Sequence, residues 1–266
     1  MYKKLVGAAL ALILSGCAQV PEEKQDPRDP LQSLNRPLYD FNMDVLDAYI
    51  LRPAAKGYIA ITPAPVRSSL VNFTTNLAAP TDAVNAALQA KPGDAGVNVA
   101  RFLVNTTVGI FGLFDVAKSL GLEHKDEDFG QTLGVWGVGD GAYLMIPGYG
   151  PSTARNLTGD IVDNVVLPEI ALSTPQTILV FALRAVEARA SLMSQEKLLN
   201  ESLDPYIFLK DVYLQRQLYE LHDGNPPVEE EPEEFDEDFL ETSKHLLSRS
   251  ASTDRLFVTA ANPLRL

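Results

Sequence analysis

Residues 31–49 read Leu-Gln-Ser-Leu-Asn-Arg-Pro-Leu-Tyr-Asp-Phe-Asn-Met-Asp-Val-Leu-Asp-Ala-Tyr. Leu34, Leu38, Phe41, Val45 and Tyr49 recur at helical spacing, while Asp40, Asp44 and Asp47 fall on other faces. The period predicts a helix with an apolar stripe. Pro37 has no amide to donate, so it belongs in a first turn or marks a kink. Asn35, Arg36 and Asn42 accompany the stripe as polar positions on an otherwise apolar run.

Toward the amino end, residues 17–30 are charged and proline-containing and read as a tether. Before them, Lys3 and Lys4 precede an apolar run from Leu5 to Leu14, which ends in Leu14-Ser15-Gly16-Cys17. That run is about ten residues, too short to cross a hydrocarbon core of roughly 30 Å as a helix. The pattern predicts a cleaved signal at 1–16 and lipidation of Cys17, the only cysteine of the chain. With no second cysteine, an internal disulfide is excluded. Two signals or several acyl chains hold a protein where one chain holds it only marginally. Ala18 in place of an acidic residue fits export onward to an outer membrane.

Toward the carboxyl end the helical pattern continues. Thr62-Pro63, Thr174-Pro175 and Asp204-Pro205 each pair a capping side chain with a proline at the first helical position. The first leads Val66, Leu70, Phe73 and Leu77 onto one stripe, and Thr81-Asp82 predicts a further short helix ending near Gln89. The second predicts a long helix. The third predicts a helix running to about His222 and stopped by Gly224.

Two regions depart from this pattern. Residues 94–122 are unusually apolar, interrupted by Arg101, Asn105 and Asp115, with Gly109 and Gly112 inviting a break or a close contact. They read equally as a buried core helix and as a helix at a membrane interface. Residues 129–150 are glycine-rich; Val135, Trp136 and Val138, then Tyr143, Leu144 and Ile146, flank Gly139-Asp140-Gly141, which predicts a hairpin with a tight glycine turn.

Charge narrows the function classes. The formal net charge is −13, but residues 229–241 hold nine acidic and no basic positions, and the rest of the chain is only mildly acidic. No basic patch offers itself to nucleic acid. Residues 223–266 read as an acidic, disordered tail. His124, His222 and His245 lack partners at metal-ligand spacing, so no metal or cofactor is expected. Gly137, Gly139 and Gly141 lack the strand, helix and Lys-Ser or Lys-Thr ending of a phosphate loop. Asp160 and Asp163 read as a solvated face. No enzyme signature emerges.

Several strings go beyond pattern. Asp29-Pro30-Leu31-Gln32-Ser33-Leu34-Asn35-Arg36 and Tyr39-Asp40-Phe41-Asn42 come first. Asn72-Phe73 with Asn76-Leu77 and Arg101-Phe102 with Asn105-Thr106 follow. Phe129-Gly130-Gln131-Thr132-Leu133-Gly134, Gly137-Val138-Gly139, Pro147 with Tyr149-Gly150, and Asp204-Pro205-Tyr206 complete the series. In this order, over roughly residues 28–222, they resemble the MlaA (VacJ) family of outer-membrane lipoproteins.

The resemblance implies a mainly α fold: a compact, ring-like helical body at 31–222 sunk in the inner leaflet of the outer membrane around a polar channel. The glycine-rich hairpin and the lipid-anchored amino end complete it, and the disordered acidic tail, read from composition, lies outside the resemblance. It further implies removal of misplaced phospholipid from the outer leaflet, transfer to a soluble periplasmic carrier, and association with a trimeric porin. On this reading Asn35, Arg36 and Asn42 are candidate channel lining, and Gly137, Gly139 and Gly141 a candidate gate in which glycine permits backbone angles other residues resist. The rival readings are a structural lipoprotein that scaffolds a porin or envelope complex and, more distantly, an enzyme acting on envelope lipid.

Overall fold

The computed structural model describes residues 26–165 and 173–227. The signal segment, Cys17, most of the tether, His245 and the acidic run lie outside them. The described chain is mainly α with one small antiparallel sheet. Its compact body ends at Gly224.

Helix α1 spans Gln32–Asp40 and passes without a break into a more loosely wound π segment, Phe41–Leu51. Pro37 sits inside α1, beyond its first turn, just ahead of the change of winding. Pro37 cannot donate to the Ser33 carbonyl, so the ladder lacks a bond one turn before the π segment starts. Helix α2, Arg52–Ile61, continues directly.

Helix α3 is one continuous rod, Ala64–Leu88, with Pro80 inside it. It starts after Pro63 rather than at a Thr62 cap, and no new helix begins at Thr81-Asp82. The continuity has a packing cause. Ala79, Ala83 and Ala86 bury almost completely, a small-residue seam on both sides of the proline, and α4, Pro92–Thr107, packs along α3. Burial on both sides outweighs the one amide that Pro80 lacks. Asp82 does not cap; its carboxylate meets His124.

The apolar region therefore resolves into α4, a turn and the short α5, Val116–Ser119. The turn needs its glycines: a Cβ at Gly109 would meet the Phe114 carbonyl at 2.3 Å, and Gly112 has φ +88° with Asn76 against it. Between them Ile110 and Phe111 also take positive φ, with their side chains exposed.

Helix α6, Phe129–Val135, is capped by Asp128, whose carboxylate accepts from the Gln131 amide at 2.6 Å. The hairpin follows later than the glycines suggested. Strand β1 is Tyr143–Ile146 and β2 is Gly150–Thr153, paired Tyr143 to Thr153 through Ile146 to Gly150. Its turn is Pro147-Gly148-Tyr149, with φ +74° at Gly148 and +107° at Gly150. Val135 instead ends α6, and residues 136–142 form a loop between helix and strand.

Helix α7 is Ala154–Val165. Helix α8, Thr174–Leu192, opens with a capping box at Ser173, one residue before the expected cap. After the short α9, Glu196–Asn200, helix α10 spans Pro205–Leu221. Asp204 caps α10 as the sequence predicts, accepting from the amides of Tyr206 and Ile207.

Candidate functional site

The body has an inverted polarity. Among the described residues, buried polar and charged side chains outnumber buried apolar ones, and most of the latter are alanines. Asn35, Asn85, Asn98 and Thr132 are fully buried, whereas Phe111, Tyr49, Ile61 and Leu179 are largely exposed. A water-soluble fold does the opposite, and extensive exposed apolar surface marks a membrane or partner face. No helix among the described residues is long and apolar enough to cross a membrane. The stripe that predicts α1 shows the inversion: Leu34, Phe41, Val45 and Tyr49 face outward, while Asn35, Tyr39 and Asp47 are buried.

Between α3, α4 and the turn lies a small polar cavity of about 20 Å³, lined by Asn72, Asn76, Arg101, Asn105, Asp115 and His124. It holds about one water. Arg101 reaches Asp115 at 3.0 Å and also donates to the Leu122 carbonyl. Asn105 donates to Asp115 at 3.0 Å and accepts from the Ala117 amide at 2.9 Å. Burial acts to raise the Asp115 pKa, but its bonds to Arg101 and Asn105 prevail and hold it below the ordinary carboxylate value. His124 meets Asp82 at 2.9 Å, and that bond raises its pKa against the opposing effect of burial. Asn76 donates to Thr106 at 2.9 Å, while its buried carbonyl oxygen has no protein partner. A wall of fixed donors with one unfilled acceptor suits polar groups and water.

The second locus is the hairpin. Asn35 donates to the Tyr143 carbonyl and accepts from the Met145 amide, both at 2.9 Å. Asn42, seven residues on, donates to the Ile146 carbonyl and accepts from the Gly148 amide, again at 2.9 Å. The Arg28 carbonyl accepts from Tyr143 at 2.9 Å. At the turn, Tyr149 donates to Asp160 of α7 at 2.7 Å.

Of the candidate lining residues, Asn35 is buried with its amide fully engaged, and Asn42 is half-buried against the turn. Both act as fasteners of β1. Arg36 pairs with Asp204 at 2.6 Å, its guanidinium 4.7 Å from the Tyr206 ring centre. Gly137, Gly139 and Gly141 share the loop before β1, not a hairpin turn. Gly137 and Gly141 have φ +90° and +68°; Gly139 takes ordinary backbone angles with open space around it.

Asp160 and Asp163 are not a solvated face. Asp163 accepts from Asn85 and from the Phe129 amide, joining α7 to α3 and α6. Asp128, beside them, has its pKa pushed up to about 6, chiefly by burial and then by Asp163, Asp126 and Asp160, with the Gln131 amide opposing. His222 bonds the Leu218 carbonyl at a helix end. No cluster of three metal-ligating side chains occurs among the described residues.

Comparison with known proteins gives consistent matches over most of the chain. The profile of a family described as MlaA lipoprotein matches residues 27–220. The "Intermembrane phospholipid transport system lipoprotein MlaA" of Escherichia coli K12 is 38% identical over 235 residues, covering 86% of this chain and 94% of the relative. Its counterpart of that name from Haemophilus influenzae is 34% identical over 249 residues, 90% and 98% of the two chains. A solved structure from work on the "structural basis for maintenance of bacterial outer membrane lipid asymmetry" superposes with a TM-score of 0.68. It is 39% identical and covers 73% of this chain and 98% of its own.

Proposed function

The chain belongs to the MlaA lipoprotein family, and from that premise we propose that it removes misplaced phospholipid from the outer leaflet of the outer membrane and passes it to a soluble periplasmic carrier. Acyl chains on Cys17 hold it on the periplasmic side, and a trimeric porin is its membrane partner.

The observation that carries this reading is the inverted polarity. An apolar outside without a spanning helix suits a body sunk in one leaflet. Moving a phosphate-bearing head group through hydrocarbon would leave charge and polar atoms without partners. Arg101, Asn72, Asn76 and His124 line a polar cavity and would supply such partners, while acyl chains remain in lipid. A head group is larger than this cavity, so on the proposed reading its passage requires the walls to part. The loop carrying Gly137, Gly139 and Gly141 is the proposed gate. Direction comes from the carrier's affinity and no covalent step is needed.

The test is the outer-leaflet phospholipid of cells lacking the protein. A rise that the wild-type chain reverses supports transport. Unchanged asymmetry, with porin assembly disturbed instead, turns the reading to a scaffold.

A further inference from the structure

We propose that Asp26 and Asp29 are positioning residues for the hairpin: by locking the end of the tether onto α10 they hold β1 in place, so the tether is a working part and not a leash. The inference rests on the reading that the hairpin region takes part in lipid movement.

A passive linker stays solvated up to the body it carries. Residues 26–29 do otherwise. Asp26 accepts from Lys210 at 2.6 Å, and Lys210 is only 2% exposed. A buried ammonium needs such a partner, and here the partner comes from the tether. Arg28 closes a second bond to Asp26 at 3.0 Å and reaches Asp211, also on α10.

Asp29 is wholly buried. One carboxylate oxygen accepts from Asn35 at 2.8 Å and the other from the Tyr206 hydroxyl at 2.5 Å. The same Asn35 amide nitrogen donates to the Tyr143 carbonyl, and the Arg28 carbonyl accepts from the Tyr143 amide. Asp26, Arg28 and Asp29 thus bond α1, α10 and the first residue of β1. The rings of Tyr39, Tyr206 and Tyr143 stack edge to face beside the junction, at 5.7 and 6.2 Å. Nine residue steps separate Cys17 from Asp26. Fully extended they reach about 30 Å, so the junction stays within that distance of the lipidated residue.

The test uses the full-length, lipidated protein with three changes: Asp26→Asn, Asp29→Asn, and six Gly-Ser residues inserted after Val20. Hydrogen exchange at the Tyr143 and Met145 amides reads hairpin order, and outer-leaflet phospholipid reads function. We expect either aspartate variant to speed exchange at those amides about tenfold, which loss of one net hydrogen bond allows. Exchange in α3 and α4 should stay as in the wild type, and outer-leaflet phospholipid should rise at normal abundance and lipidation.

The insertion should change neither readout, because slack before the junction does not reach β1. Wild-type hairpin exchange in both aspartate variants overturns the proposal, as does a response to tether length alone. A loosened hairpin with normal asymmetry overturns its link to transport. Normal asymmetry in cells without the protein places the failure in the functional reading instead.

Discussion

Arg189 of α8 grips Asp47 of the π segment with both ends of its fork, Nε to Oδ1 at 2.5 Å and Nη2 to Oδ2 at 3.0 Å. Arg52 adds a third bond to the same carboxylate at 3.2 Å, and both arginines reach Glu196 of α9. Both members of the Asp47–Arg189 pair are largely buried, so the π segment is tied by charge where a soluble protein would use apolar packing.

Arg189→Met is therefore expected to destabilise the body by about 2 kcal/mol. That is below the 3–5 kcal/mol typical of an orphaned buried charge, because Arg52 remains. Thermal unfolding in detergent measures it. Combining the change with Asp47→Asn should recover part of the loss, and strict additivity would remove the pairing as its source.

Asn35→Ala leaves Asp29, the Tyr143 carbonyl and the Met145 amide each short of a partner at a buried site. Each unsatisfied group costs about 1–3 kcal/mol, and partial relaxation should bring the total to about 3 kcal/mol. Asn42→Ala, beside the exposed turn, should cost about 1 kcal/mol or less, since water replaces the amide. Denaturant midpoints of the two variants should differ in that order.

Asp128 gives a pH-dependent term of definite sign. Its pKa is raised from the ordinary 3.8 to about 6 in the folded protein, so the folded state retains a proton the unfolded state has lost. Its contribution is fully present below pH 3.8 and is lost as the pH climbs to about 6. Asn also caps helices, so Asp128→Asn should keep α6 and stabilise the protein at pH 7 by about 1–2 kcal/mol. The gain should vanish near pH 4. Equal stability of variant and wild type at pH 7 would contradict the burial of this carboxyl.

The loop glycines separate a gate from a fold requirement. A Cβ added at Gly139 meets nothing within 4 Å and needs no unusual φ, so the effect of valine there should be mainly stiffening, under about 1 kcal/mol. At Gly141, with φ +68° and the Ala154 Cβ 3.0 Å from a new Cβ, valine is strained and should lower protein level. Gly139→Val should change outer-leaflet phospholipid at normal abundance and location. Measuring with and without the periplasmic carrier tells an open lock from a shut one, since only an open lock acts independently of the carrier. Normal asymmetry in Gly139→Val rejects the gate.

Cys17→Ser should block lipidation and abolish function. Metabolic labelling with a fatty acid should mark the wild type alone, and labelling of the serine variant would sink the anchor assignment.

The helices were legible because capping chemistry and a 3.6-residue period are local. Asp204 with Pro205 placed α10 almost to the residue. Thr81-Asp82 misled as a helix start, since the seam that carries α3 through these residues depends on α4. The hairpin was displaced because Gly137, Gly139 and Gly141 drew the turn forward, although Pro147-Gly148 carried the better turn signal. The π segment left no mark in the stripe. Period reveals that a helix has two faces but not which one faces inward, so Leu34 and Phe41 were legible as a stripe and Asn35 as its buried opposite was not. Nor could spacing disclose that Asn35 and Asn42 meet a strand more than a hundred residues away.

Those two asparagines have one more consequence. Asn35 and the Arg28 carbonyl take the outward amides of Tyr143 and Met145 and the Tyr143 carbonyl, and Asn42 takes the Ile146 carbonyl, so most of this edge of β1 is occupied from within the chain. Adding a strand to β1, from a partner or from a second copy of the chain, would first have to displace these bonds. On the proposed function, a partner that approaches from the β1 side meets helix surfaces, where side-chain shape and charge, rather than a repeating backbone pattern, decide who binds.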